Sequence, residues 1–124
     1  VGVLTTLSSS MQVRLPRIKP NLLVNKHIDG VPYVSIVEDL SLSGLSLKTP
    51  IEPTHRLNAT VMIEIMLDDA INPMWISAQL VRRTLHGLVV YAFDEMRLPV
   101  RRALRRFVER HHCSDEMPRY ALNG

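Results

Sequence analysis

The hydrophobic rhythm of this chain changes once, near residue 97. Between Asn21 and Phe93, apolar residues recur at every second position or in short runs, and turn-forming residues separate the runs. Alternation by two puts successive side chains on opposite faces, so these runs predict strands. LLVNKHI (22–28) is the first. Asp29-Gly30 then marks a tight hairpin, because both residues tolerate the backbone such turns require. VPYVSIVEDL (31–40) follows, with Pro32 near its start, where a missing N–H is tolerated. LSLK (45–48) is a short third strand, and Pro50 and Pro53 punctuate the loop behind it. ATVMIEIMLD (59–68) alternates cleanly: Val61, Ile63, Ile65 and Leu67 share one face, and Met62, Glu64, Met66 and Asp68 the other. MWISAQLVRRTL (74–85) and, after the turn at His86-Gly87, LVVYAF (88–93) complete six strands. Short strands at such spacing predict a small antiparallel barrel or sandwich.

From Pro99 the period lengthens. Val100, Leu104, Phe107, Val108 and His111 form one stripe at helical spacing, and proline suits the first turn of a helix. The pattern predicts a helix over 98–112 that packs on the strands, followed by a tail over 113–124. Upstream, residues 1–11 read as a flexible lead-in. QVRLPRIKP (12–20) carries prolines at 16 and 20, so it predicts an extended basic linker leading into a barrel over 21–93.

Composition narrows the class. At 124 residues with 46% hydrophobic content, the chain suits one domain with a real core. No apolar run approaches the roughly 20 residues of a membrane span, so no membrane insertion is expected. The opening residues lack the basic start of a signal peptide. The chain begins at Val1 with its first methionine at Met11, which fits a fragment of a longer protein. Cys113 is the single cysteine; it makes no internal disulfide and fits a reducing, cytoplasmic setting.

The net charge of +3 is unevenly spread. Arg14, Arg17 and Lys19 cluster in the linker, and Arg97, Arg101, Arg102, Arg105, Arg106 and Arg110 cluster near the end. Five of these arginines lie largely off the helical stripe and predict a solvated basic face. Aromatic content of 5% offers no stacking platform, so DNA is not an expected partner.

Catalytic signatures are missing: there is no nucleophile elbow, paired-carboxylate setting or glycine-rich phosphate loop, so no enzyme is expected. Asp68-Asp69 reads as a solvated turn. No metal centre is expected either. His111, His112 and Cys113 are neighbours on a helix and point about 100° apart, while His27, His55 and His86 stand alone.

EDLSLSGLSL (38–47) carries the one specific polar pattern, Asp39-x-Ser41-x-x-Gly44. A carboxylate at Asp39 can accept from the paired N–H edge of a guanine. Ser41 can donate to a phosphate or brace the turn, and Gly44 permits a positive φ or a close backbone approach. The same residues also make an ordinary bulge or turn between strands.

This pattern, placed between the second and third of six strands, resembles the (D/N)xSxxG signature of PilZ domains. The resemblance runs from about Gln12 to His112. It implies an all-β fold: a six-stranded antiparallel β-barrel with a C-terminal α-helix. It also implies a receptor for the bacterial second messenger cyclic di-GMP, with no other cofactor, acting on a protein partner or a fused domain as a monomer or dimer. The family's other signature, RxxxR, lies in the linker before the first strand, where its arginines wrap the nucleotide. Arg17 matches the second of these arginines. Four residues earlier the chain has Val13, and Arg14 gives RxxR instead. The resemblance therefore implies a ligand site of Arg14, Arg17, Asp39, Ser41 and Gly44. The altered arginine motif also suits a degenerate member that acts only as a protein-interaction adaptor.

Overall fold

The computed structural model describes residues 16–68 and 71–123, with side chains of the last helix as far as His112. Six strands appear in the order the alternation predicts: β1 (Leu23–Ile28), β2 (Val31–Leu40), β3 (Gly44–Lys48), β4 (Thr60–Ile65), β5 (Met74–Arg83) and β6 (Val89–Phe93). They close into an antiparallel barrel in the spatial order β1-β2-β3-β6-β5-β4. The β1–β2 hairpin turns on Asp29 and Gly30, at φ 52° and 81°. This doubly left-handed turn matches the twist of its flanking strands.

Alternation sorts the side chains. Val24 and Ile28 on β1, Leu45 and Leu47 on β3, and Ile63 and Ile76 on β4 and β5 all point into the buried interior. The helix α1 (Leu98–Asn123) carries Leu104, Phe107 and Val108 buried against the barrel, as its stripe predicts. Each of these is worth about 1.5–3 kcal/mol when fully withdrawn from water. The ring of His111 lies on Phe107, with centroids 4.0 Å apart, and its Nε2 is 3.8 Å from Asp68 on the β4–β5 loop.

The helix departs from expectation at its far end. A tail was expected over 113–124, yet helical backbone continues to Asn123. The apolar stripe marks where packing ends, but backbone hydrogen bonding needs no stripe. No glycine interrupts the segment before Gly124.

Two irregularities decide where polar side chains go. The β2–β3 register shifts between Val37 and Asp39, and the β5–β6 register shifts between Leu80 and Arg82. Each inserts an extra residue on one strand, which reverses the phase of the side chains that follow.

Candidate functional site

The linker enters the barrel through Ile18. Its backbone exchanges two hydrogen bonds with Leu40 at the end of β2, each 2.9 Å, and its side chain is only 1% exposed. An extended segment alternates, so burying Ile18 presents Arg17 and Lys19 outward. The Arg17 guanidinium forms an ion pair with the Asp39 carboxylate. The linker beyond Arg17 is thus an added bridge on the barrel, not a free arm.

Asp39 owes its position to the β2 bulge. Ser35 and Val37 face the interior, and strict alternation would bury Asp39 beside them. The extra residue opposes Asp39 to Ser46 and sends Leu40 inward opposite Leu45. Ser46 then donates its hydroxyl to Asp39 Oδ1 at 3.3 Å. One carboxylate oxygen therefore holds both the linker arginine and a β3 hydroxyl.

The turn that follows is held by Ser41. Its backbone N–H donates to the Gly44 carbonyl at 2.9 Å. Its hydroxyl lies 3.0 Å from the Ser43 hydroxyl, accepts from the Ser43 N–H at 3.2 Å and donates to Gly44 O at 3.3 Å. Ser41 is fully buried by these bonds. Gly44 does not adopt the positive φ that was one expectation for it; among the described glycines only Gly30 and Gly87 do. Its requirement is steric. A Cβ on Gly44 would stand 2.2 Å from the Tyr91 carbonyl oxygen on β6. The close backbone approach is to a neighbouring strand.

A match to the PilZ domain family model spans residues 12–110. The chain belongs to the PilZ domain family. Solved structures agree on the fold. The PilZ domain of YcgR from Escherichia coli, solved with c-di-GMP, is 17% identical, with a TM-score of 0.67, 84% of this chain and 94% of that chain covered. The PilZ domain of CeSA from a cellulose-synthesizing bacterium is 22% identical, with a TM-score of 0.61 and coverage of 74% and 93%. The PlzA protein of Borreliella burgdorferi, in complex with c-di-GMP, is 15% identical, with a TM-score of 0.61 and coverage of 87% and 46%. No curated protein matches the chain by sequence.

Within this PilZ barrel, the residues expected at the site fall into two groups. Arg17 and Asp39 meet on the outside of the barrel, and Ser41 and Gly44 are bonded to each other in the turn. Arg14 lies outside the described residues.

A second polar constellation was missed by the sequence reading. Lys26 lies in phase with Val24 and Ile28, and its side chain is 0% exposed inside the barrel. Its ammonium pairs with Glu52 of the β3–β4 loop and sits 5.0 Å from the centroid of the Tyr91 ring. The Tyr91 hydroxyl and His55 Nε2 share a hydrogen bond of 2.8 Å. Arg83 closes the group from β5, 3.6 Å from Glu52 and donating to His55 O at 2.9 Å. The β5 bulge selects Arg83 here: it turns Arg82 outward opposite Val90 and Arg83 to the barrel mouth opposite Val89.

Burial perturbs these groups. It lowers the Lys26 pKa, against the pull of Glu52, and lowers that of His55, against its bond to the Pro53 carbonyl. It raises that of Tyr91, so the phenol keeps its proton. Every member has a partner, and the cluster plugs the barrel instead of opening a site. The legible signal was Lys26 itself, a lysine at an inward position of a strand.

Proposed function

We propose that this PilZ domain binds cyclic di-GMP at the meeting point of the linker and the β2–β3 turn, without catalysis of its own. The observation that carries this reading is the Arg17–Asp39 pair, which joins the two family signatures at one point on the barrel. Both groups have the chemistry the nucleotide needs. The carboxylate accepts from the N1–H and N2–H edge of a guanine, and the guanidinium fork donates to a phosphate or to O6 and N7. Ser41 and Gly44 hold the turn that aims Asp39. Arg14 reaches the ligand from the linker.

Binding on this reading is an exchange. Asp39 releases Arg17 as it takes up the guanine edge, and Arg17 turns to the nucleotide. Ile18 stays anchored on Leu40, so on this reading the movement begins at Arg17. The ligand's differential affinity for the two linker positions supplies the energy that moves whatever lies upstream, a neighbouring domain or a bound protein. Among the described residues no helix is long and apolar enough to cross a membrane, and we place the domain in the cytoplasm, where the messenger is made.

Calorimetry tests the reading. Wild type is expected to release heat with cyclic di-GMP, and Arg17→Ala and Asp39→Ala each to weaken binding about 10-fold or more, the loss of a charge-assisted contact of roughly 1.5–3 kcal/mol. No binding up to about 100 μM ligand would refute it. That result would favour the second reading, an adaptor barrel that keeps the fold without the nucleotide, for which Val13 in place of an arginine is the supporting feature.

A further inference from the structure

A cleft of about 400 Å³ opens beside the signature turn, between that turn, the end of β6 and the first turns of α1. Its apolar lining is Leu42, Phe93 and Met96. Its polar rim includes Ser43, Glu95 and Arg101. The volume is at the low end for a small-molecule site, the size for one base and not a whole dinucleotide. The cleft is tied to the turn that positions Asp39, because the Phe93 N–H donates to the Ser43 carbonyl at 2.9 Å.

The polar groups divide into those already bonded and those with capacity left. Asp94, which also lines the cleft, accepts from the Ser77 hydroxyl at 2.7 Å and the Gln79 amide at 3.1 Å. Among the described residues, neither the Glu95 carboxylate nor the Arg101 guanidinium makes a side-chain hydrogen bond or ion pair. An acceptor-only group and a donor-only fork therefore face one apolar slot.

We propose that this cleft is the subsite for one guanine of the dinucleotide, an inference that rests on the nucleotide reading above. Arg101 donates to O6 and N7, and Glu95 accepts from N1–H and N2–H; these are adjacent edges of the same base. Leu42, Phe93 and Met96 take the purine face. The lining holds two carboxylates and a single guanidinium, so the cleft repels a phosphate and suits a neutral base. The assignment also gives the altered arginine motif a counterpart. Where Val13 removes a guanidinium from the linker, Arg101 supplies one from the helix.

Titration with cyclic di-GMP of wild type, Arg17→Ala, Arg101→Ala, Arg101→Lys and Arg102→Ala tests this. Arg101 and Arg102 are both exposed, so neither substitution should disturb the fold. Arg101→Ala is expected to weaken binding about 10-fold, and Arg101→Lys not to restore it, because lysine lacks the planar fork. Arg102→Ala should stay near wild type. Glu95→Gln is expected to erode the preference for cyclic di-GMP over cyclic di-AMP, since adenine has no N1–H to donate. If wild type binds and Arg17→Ala is weakened while Arg101→Ala matches wild type, the subsite is wrong and the nucleotide reading stands. An unchanged preference in Glu95→Gln overturns the carboxylate's role. If wild type does not bind, both readings fall together.

Discussion

Gly44→Ala separates a steric requirement from a ligand contact. The added methyl would lie 2.2 Å from Tyr91 O, 3.2 Å from Tyr91 C and 3.3 Å from Ala92 Cα. All three are backbone atoms of β6, so no side-chain rotation relieves the contact. β3 must move away from β6 at the point where Gly44 opposes Ala92. Overpacking of this kind costs about 1–3 kcal/mol. The adjoining bond from Phe93 N to Ser43 O, now 2.9 Å, stretches as well, at about 0.5–1.5 kcal/mol. The sum is about 1.5–4.5 kcal/mol. At about 4 °C per kcal/mol for a domain near 100 residues, the melting temperature should fall by about 6–18 °C. Gly30→Ala is the control. Its φ is +81° with nothing within 4 Å of the added carbon, so it carries only the left-handed backbone cost of about 1–2 kcal/mol. Thermal unfolding by circular dichroism measures the two side by side. A Gly44→Ala protein melting within about 2 °C of wild type, or above Gly30→Ala, would refute the steric account.

The interior cluster makes two further predictions. Lys26→Ala removes the ammonium paired with Glu52, leaving that carboxylate the longer contact to Arg83 at 3.6 Å, and should cost up to about 3–5 kcal/mol in denaturant unfolding, whereas Lys26→Met combined with Glu52→Leu should cost clearly less, because it removes both charges of the pair and keeps the volume. His55 has a pKa below its ordinary 6.5 in the folded protein, so the unfolded chain takes up the proton first as pH falls. Its contribution is whole above pH 6.5 and is lost as pH drops through that value toward the folded one. A melting temperature measured from pH 8 to pH 5 should therefore decline below about 6.5, and His55→Gln should flatten that limb.

Much of the fold was written in the period of apolar residues. Val61, Ile63 and Ile65 point inward in β4 as their spacing requires, and Leu104, Phe107 and Val108 form the helix stripe. The candidate site was partly legible for a different reason. Asp39-x-Ser41-x-x-Gly44 is a local pattern, so its residues stay together whatever the rest of the chain does. Ser46 was not legible, because nothing local links it to Asp39; a pairing across strands does. Glu52, His55 and Arg83 were hidden for the same reason, since they converge on Lys26 from a loop and a distant strand. Glu95 carried no signal in the sequence, and Arg101 read only as part of a solvated basic face, until the β6–α1 junction set them beside the signature turn.

From β1 to the packed part of the helix, the sequence alone determined the kind of element, because strand and helix follow from the periodicity of neighbours within a few residues. It also determined the polar turn, whose chemistry is contained in six positions. Only the tertiary structure decided which way the polar groups point. Asp39 faces the linker and Arg83 faces the barrel mouth because one extra residue in β2 and another in β5 reverse the side-chain phase. A bulge is selected by the pairing partner and by barrel closure, not by the strand that contains it. The role of Gly44 was decided in the same way, by the carbonyl of Tyr91, a residue 47 positions away in the chain.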